Sequence, residues 1–221
     1  MDEIILIDKP DNMTSFGVVA RLRRVLSKKA GKKVKVGHTG TLDPFATGLM
    51  IIVTGKKCRE AMTYTKLDKV YEATFVLGKK STTGDIEGEI TDYNQAESRI
   101  PTREEIDEIA KKFVGKIKQK PPIFSAIKIN GKRAYKLARD GVDIEMPERE
   151  VEIYSLDVVD YNYPELKICT HVSSGTYIRS LAVDVGEALG VGAYCSELRR
   201  TKIADWSVSD AYKLEYFGIY D

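Results

Sequence analysis

Apolar residues along this chain recur with helical spacing in some segments and with strand spacing in others. From Val18 to Leu26 they lie three or four positions apart, which predicts a helix that Thr14 or Ser15 caps and Gly31 ends. Start and stop signals predict a helix over residues 102–114, and the same helical spacing predicts one over residues 178–189. A last helix is expected over residues 210–217. Apolar runs or alternation predict strands over residues 4–7, 49–53, 71–77, 151–159 and 166–172. Thr102 and Glu105 form a capping-box pattern at the start of the second helix.

The predicted helices and strands are mixed along the chain without a regular βαβ rhythm. We therefore expect an α+β fold whose mixed, mostly antiparallel sheet is flanked by helices. No internal repeat or low-complexity linker divides the 221 residues, so one domain over residues 1–221 is expected.

The composition is that of a globular protein, with 43% apolar and 31% charged residues. It excludes a fibrous repeat and a wholly disordered chain. Cys58, Cys169 and Cys195 are odd in number and widely spaced, which argues against a disulfide framework and for a reducing compartment. No run approaches the roughly 20 apolar residues that span a bilayer. We expect a cytoplasmic protein without a membrane partner.

The small net charge of +2 hides a strong segregation of charge. Residues 21–35 and 111–139 are rich in Lys and Arg and contain no acid, whereas residues 84–108 carry nine acids against Arg99 and Arg103. Such basic blocks are typical of contacts with nucleic-acid phosphates. A solvated, lysine-rich surface explains them equally well.

Cofactor and metal motifs are incomplete in this sequence. The segment Thr54-Gly55-Lys56 resembles the end of a phosphate-binding loop, but Met50 occupies the place of its first glycine and Lys57 that of its Ser or Thr. Cys169 and His171 lie two apart on a predicted strand and are either packed residues or two ligands of an incomplete metal site. We therefore assign no cofactor and no metal.

The segment from Gly37 to Gly48 is predicted to be a loop that a ligand can approach closely, because it holds three glycines and a proline. Asp43 precedes Pro44, so its backbone is restricted to extended conformations. A carboxylate placed there is either a nucleophile or general base, or a residue that stabilises a turn. A phosphorylated-aspartate enzyme is disfavoured because Phe45 occupies the second acidic position of that motif.

The same segment, Gly37-His38-Thr39-Gly40-Thr41-Leu42-Asp43-Pro44-Phe45-Ala46-Thr47-Gly48, resembles the catalytic loop of the bacterial tRNA pseudouridine synthase B (TruB) family. Further segments resemble other motifs of that family, in the family's order and over essentially the whole chain. They are Ile7-Asp8-Lys9-Pro10, Met13-Thr14-Ser15, Asp68-Lys69-Val70-Tyr71, residues 121–128 and 131–135, Ser174-Gly175-Thr176-Tyr177-Ile178-Arg179-Ser180-Leu181, and Leu198-Arg199-Arg200.

This resemblance implies the pseudouridine synthase catalytic fold and isomerisation of uridine 55 to pseudouridine in the TΨC loop of tRNA. The target base is flipped out, the C1′–N1 bond breaks, and C1′ rejoins the base at C5. The reaction needs no redox cofactor. The implied partner is the TΨC stem-loop of tRNA, bound by a monomer without a guide RNA. Alternatives are an inactive RNA-binding module and a guide-dependent enzyme.

The resemblance also implies roles for individual residues. Asp43 is the essential carboxylate, acting either as a covalent nucleophile or as a base toward a ribose proton. Arg179 pairs with Asp43, and Tyr71 stacks on the flipped uracil and is a candidate for proton transfer. Asp43, Tyr71 and Arg179 form the implied catalytic set. The substrate-binding set is His38, which fills the space that the base leaves, Tyr177 and Leu198, which line the pocket, Lys9, which supports the catalytic loop, and Asp85.

The sequence departs from the family pattern in two places, and at these places no role is transferred from the family to this chain. Thr82 replaces an acidic residue that the family often shows near Asp85, so position 82 receives no role. Family members usually continue into a small RNA-binding domain of the PUA type, and here we expect that domain to be absent or truncated.

Overall fold

Helices and strands are interspersed along the chain in the computed structural model, which describes residues 2–93, 99–125, 127–129, 131–142 and 144–220. The helices are α1 (Ser15–Ala30), α2 (Ala61–Thr65), α3 (Arg103–Phe113), α4 (Ala134–Arg139) and α5 (Ile178–Ala188), and 3-10 helices cover Gly55–Glu60, Val208–Asp210 and Leu214–Phe217. The strands are β1 (Ile4–Lys9), β2 (Val36–His38), β3 (Thr47–Thr54), β4 (Lys69–Leu77), β5 (Lys79–Ser81), β6 (Ile90–Asp92), β7 (Gly115–Gln119), β8 (Lys128–Ile129), β9 (Lys132–Arg133), β10 (Arg149–Asn162), β11 (Glu165–Val172), β12 (Ala193–Ile203) and β13 (Trp206–Ser207).

The predicted helix boundaries of α1 and α3 are confirmed by their caps. The Thr14 side chain accepts a hydrogen bond from the backbone N–H of Gly17, and Gly31 ends α1 in the left-handed conformation. Thr102 and Glu105 form the full capping box at the start of α3. Local side-chain chemistry therefore decides where these helices begin and end.

Contacts divide the chain into two compact units, with boundaries inside β4 and β12. The first unit comprises Met1–Glu72 and Leu198–Asp221, and the second comprises Ala73–Glu197. In the first unit β3 pairs with β1 and β2 in antiparallel fashion and with β12 in parallel fashion. The face of β3 that carries Leu49, Ile51 and Val53 packs against Ile203 in a buried cluster.

The second unit is built on β4, β11, β10 and β7, which lie side by side in this order. The hairpin of β10 and β11 and the pair of β7 and β10 are antiparallel. The small hairpins β5–β6 and β8–β9 lie outside this sheet. The predicted α+β class with a mixed, mostly antiparallel sheet is confirmed. No described helix is both long and apolar enough to cross a membrane.

Several short elements, among them α2, α4 and β2, were not predicted, and two further segments differ from the sequence prediction. The predicted helix over residues 210–217 is wrong, because Tyr212 bonds to β1 and separates two 3-10 helices. Its N–H donates to the carbonyl of Leu6, and its carbonyl accepts from the N–H of Asp8. Strand β12 was not predicted, because polar residues in its middle break the apolar pattern.

Gly48 permits the close parallel contact between β3 and β12. Its φ is 102°, which L side chains rarely adopt, and a Cβ there would clash with the backbone carbonyl oxygen of Arg200. Glycine is therefore required at this position both by conformation and by space.

We expect Gly48→Ala to lower the free energy of unfolding by about 3 kcal/mol or more, because strain and overpacking add. Gly31→Ala is the matched control, since its φ of 62° is also positive but nothing lies within 4 Å of the added Cβ. Strain alone should lower the free energy of unfolding of Gly31→Ala by about 1 kcal/mol. Urea unfolding of both variants measures the difference, and equal losses would contradict the role of the close contact.

Candidate active site

The loop that carries Asp43 joins β2 to β3 in the first unit. It spans residues 39–46, whereas the ends of the predicted loop belong to the two strands. The N–H of Thr39 donates to the carbonyl of Ile51 at 3.2 Å and prolongs the pairing of β2 with β3. The predicted loop is thus confirmed in its centre and shorter than expected.

Ser15, the first residue of α1, fixes the middle of this loop. Its hydroxyl donates to the carbonyl of Leu42 at 2.9 Å and accepts from the N–H of Leu42 at 2.8 Å. The side chains of Leu42 and Phe45 are buried, while Asp43 between them is half-buried. The main chain is therefore anchored on both sides of a carboxylate near the surface.

Lys9 lies under the loop and is fully buried. Its Nζ donates to the backbone carbonyls of Pro10 at 2.8 Å, Met13 at 2.6 Å and Pro44 at 2.9 Å. A buried ammonium group needs such hydrogen bonds to offset its lost hydration. The contact with Pro44, next to Asp43, agrees with the predicted support of the loop, while a contact of Lys9 with substrate stays a prediction.

Arg199 forms an ion pair with Asp8 at the end of β1. Its Nη1 and Nη2 lie 3.1 and 2.8 Å from the two carboxylate oxygens, and Nη1 also donates to the Thr47 hydroxyl at 3.2 Å. These residues line a cavity of about 220 Å³ within the first unit, together with Lys9, Pro10, Lys213, Leu214, Glu215 and Ile219. Sequence reasoning missed this pair, because nothing in the sequence brings residues 8 and 199 together.

His38 ends β2 and is half-buried. Burial lowers the pKa of its imidazole below the ordinary value, and the nearby charge of Arg200 lowers it further. His38 is therefore neutral at neutral pH. A neutral ring in this position fits the space-filling role that the resemblance implies.

Lys69 and Tyr71 lie on the same side of β4 and are both buried. Burial lowers the pKa of Lys69 to about 8; the charge of Arg200 also lowers it, and Asp68 opposes the shift. The Lys69 ammonium donates to the carbonyls of Thr65, at 2.8 Å, and Leu67. Sequence reasoning assigned Lys69 no role, although it belongs to the segment Asp68-Lys69-Val70-Tyr71 that carries the family resemblance.

Leu198 is buried at the start of the part of β12 that belongs to the first unit. His38, Asp43, Tyr71, Lys9 and Leu198 thus all belong to this unit. Their roles toward a substrate stay predictions.

In the second unit Arg179 and Asp85 form a buried ion pair. Arg179 Nη1 lies 3.1 Å from Asp85 Oδ2, and each side chain is 3% exposed. Arg179 also donates to the carbonyls of Thr83 at 3.1 Å and Phe124 at 3.0 Å. Asp85 Oδ1 accepts from the Thr83 hydroxyl at 2.5 Å and from the N–H of Glu87 at 3.0 Å.

This pair gives Asp85 a defined partner that sequence reasoning did not assign to it. The only sequence signal was that Asp85 fits the family pattern. Asp43 belongs to the first unit and Arg179 to the second, and their expected pairing stays a prediction.

Tyr177 precedes α5 in the second unit and is half-buried. The buried side chain of Gln119 accepts from its N–H at 2.8 Å and donates to its carbonyl at 3.0 Å. The Arg149 guanidinium carbon lies 4.7 Å from the centre of the Tyr177 ring. The backbone and ring of this predicted pocket residue are thus held from two sides.

Within the described residues, no group of three or more His, Cys, Asp or Glu side chains could hold a metal ion. The ring of His171 lies against that of Tyr154, with 4.7 Å between their centres.

Solved structures of known proteins share this fold. A chain of a Cbf5-Nop10-Gar1 complex aligns with a TM-score of 0.73 and 29% identity, over 96% of this chain and 52% of that one. A chain of an H/ACA RNP bound to a substrate RNA containing 2′-deoxyuridine aligns with a TM-score of 0.68 and 25% identity, over 99% of this chain and 56% of that one. This chain spans about half the length of both.

Curated relatives are more similar. A tRNA pseudouridine synthase B of Chloroherpeton thalassium is 49% identical over 95% of this chain and 86% of its own length. One of Phocaeicola vulgatus is 45% identical over 97% of this chain and 91% of its own length.

Two family models together match residues 23–218 of the chain. The model of the TruB family pseudouridylate synthase N-terminal domain matches residues 23–178, and that of the tRNA pseudouridylate synthase B C-terminal domain matches residues 179–218. The resemblance inferred from the motifs is confirmed, and this chain belongs to the TruB family of pseudouridylate synthases, which are isomerases.

Proposed function

We propose that this protein isomerises uridine 55 to pseudouridine in the TΨC loop of tRNA, as a cytoplasmic monomer without a guide RNA. The observation that carries the proposal is the Asp43 loop. Its main chain is anchored by Ser15, Lys9 and Arg200, while Asp43 itself is half-buried. A carboxylate held in this way is oriented before substrate binds.

The chemistry requires a reactive carboxylate and a base that has left the RNA stack. The C1′–N1 bond breaks, the uracil turns, and C1′ bonds to C5, while C5 loses a proton and N1 gains one. Asp43 serves this reaction as an ionised carboxylate, either by attacking the nucleoside or by removing a ribose proton. Flipping the base costs a few kcal/mol of stacking, which contacts with the RNA must offset.

The remaining predicted residues receive supporting roles in this proposal. Tyr71 stacks on the uracil, and Tyr177 and Leu198 line the pocket. His38, kept neutral by burial and by the nearby charge, fills the space that the flipped base leaves. Arg179 keeps the catalytic role that the resemblance implies, and Asp85 holds its guanidinium within the second unit.

Exposed cations in both units support binding to RNA phosphates. In the first unit they follow α1 and the segment after it, at Arg21, Arg24, Lys28, Lys29, Lys32, Lys33 and Lys35. In the second unit they include Lys111, Lys112, Lys116, Lys118, Lys120, Lys128, Lys132, Arg133 and Lys136. Such contacts position an RNA without reading its sequence.

The choice of tRNA without a guide RNA is supported by the relatives. Proteins named tRNA pseudouridine synthase B are 45–49% identical over most of their own length. The chains of the Cbf5-Nop10-Gar1 complex and of the H/ACA RNP are 29% and 25% identical, and this chain spans about half of each.

Asp43→Asn is expected to lower the single-turnover rate of pseudouridine formation by at least about 10³-fold, because the amide is a poor nucleophile and base. Its affinity for RNA should stay within about twofold, since phosphate contacts dominate binding. Asp205→Asn, an exposed acid in the same unit, is the matched control and should react at the wild-type rate. Normal turnover by Asp43→Asn would overturn the enzymatic role of Asp43, and a wild-type protein without activity would overturn the function.

An isolated TΨC stem-loop RNA should be a sufficient substrate for the purified protein. The pocket recognises the flipped base and the shape of the RNA loop. The rest of the tRNA is therefore expected to increase affinity without taking part in the reaction. Mapping pseudouridine in the stem-loop and in unmodified bulk tRNA tests this. Modification at a different nucleotide, or only after a guide RNA and partner proteins are added, would contradict the proposed substrate.

The affinity for tRNA should fall by about 10³-fold or more between about 50 and about 200 mM salt, because binding to phosphates releases counterions. Lys28→Gln should make the plot of the logarithm of affinity against the logarithm of salt concentration shallower, by the slope that corresponds to about one released counterion. Filter binding over a salt series measures both effects. Ser209→Ala, an exposed change that alters no charge, serves as the control. A wild-type affinity that does not change with salt would contradict binding through phosphate contacts.

A further inference from the structure

Arg200 is the largest fully buried side chain of the first unit, with 1% of its surface exposed. A guanidinium group stays protonated in proteins, so this is a buried charge. Burying a charge is costly unless hydrogen bonds offset the lost hydration. The resemblance placed Arg200 in a family motif but gave it no role, and the position of its partners suggests one.

The two hydrogen bonds of this guanidinium reach both sides of the Asp43 loop. Arg200 Nε donates to the carbonyl of Leu49 at 2.7 Å, and Nη2 donates to the carbonyl of Gly40 at 3.1 Å. Gly40 lies before Asp43, and Leu49 lies after it in β3. One planar group with donors in a fixed geometry therefore bridges the base of the loop.

The backbone of Arg200 pairs with β3 two residues beyond the end of the same loop. Gly48 pairs with Arg200 in the parallel register of β3 and β12. Their backbones are so close that a Cβ on Gly48 would lie 2.8 Å from the nitrogen of Arg200. The strand that carries the guanidinium is therefore fixed relative to the loop.

The charge of Arg200 also acts on side chains around the loop. It lowers the pKa of His38 on β2 and of Lys69 on β4, in both cases after the larger effect of burial. The ring of His38 therefore reports on the presence of this charge.

We propose that Arg200 is a positioning residue for the catalytic carboxylate: its guanidinium ties the two ends of the loop together and so fixes the orientation of Asp43. The proposal rests on the proposed function, because it assigns Asp43 the chemistry. A displacement of about 1 Å in a reacting group can cost about 10²-fold in rate, so this bridge acts on the chemical step rather than on RNA affinity.

Arg200→Lys and Arg200→Met test this proposal at two levels. Lysine keeps the charge but loses the two-donor geometry, and methionine loses both at a similar volume. We expect the single-turnover rate constant to fall by about tenfold in Arg200→Lys and by about 10²-fold in Arg200→Met, with the Kd for tRNA within about twofold of wild type. A rate constant in folded Arg200→Lys equal to that of wild type, or a loss caused entirely by weaker RNA binding, would overturn the proposal.

Amide hydrogen exchange gives a readout that does not depend on activity. The N–H of Ala46 bonds to the carbonyl of Asp43, and that of Leu42 bonds to Ser15. Both amides should exchange at least about tenfold faster in Arg200→Lys, while the amides of β1 keep wild-type rates, because only the loop opens. Unchanged exchange in the loop, or equal acceleration in β1, would contradict a local bridge. This result can be read even if the wild type shows no activity on tRNA, so failure of the proposed function stays distinguishable.

Two controls separate the effects of geometry and charge. The chain contains two histidines, so His38 is resolved by NMR: its pKa should rise in Arg200→Met and stay low in Arg200→Lys. An unchanged pKa of His38 in Arg200→Met would contradict an effect of the Arg200 charge on His38. Arg103→Met removes an exposed arginine that pairs with Asp107 in the second unit, and its rate constant should equal that of wild type.

Discussion

Two buried cations that hydrogen-bond to main-chain carbonyls hold the candidate catalytic loop. Lys9 bonds to Pro44, directly after Asp43, and Arg200 bonds to Gly40 and Leu49 on either side of it. In a low-dielectric interior these hydrogen bonds help to offset the lost hydration of each cation, so side chain and loop constrain each other. The main chain of the loop is thereby held on both sides of Asp43.

This constraint connects the fold to the chemistry. The loop presents a half-buried carboxylate, while Leu42 and Phe45 on either side are packed into the first unit. An enzyme that isomerises a nucleoside depends on the placement of its reacting groups, and preorganised groups cost no reorganisation during the reaction. The second unit follows the same principle, since Arg179 is held by Asp85 and by two backbone carbonyls.

Sequence reasoning succeeded where local interactions decide the structure. The caps Thr14 and Thr102 define the starts of α1 and α3, and the apolar runs define β1, β3, β10 and β11. It failed for β12, where a buried arginine breaks the apolar pattern, and for the segment around Tyr212, whose hydrogen-bond partners lie in β1. In both cases, partners distant in the chain override the local signal.

The sequence by itself determined the fold class, the family and the loop with its aspartate, because apolar periodicity, caps and motifs are written in neighbouring residues. Only the tertiary structure decided what holds those parts: Arg200 across the base of the loop, Lys9 beneath it, Arg199 on Asp8 and Asp85 on Arg179. A hydrogen bond or ion pair between residues 35 to 191 positions apart leaves no local pattern. Its energy depends on the distance and burial of the two groups, which exist only once the chain has folded.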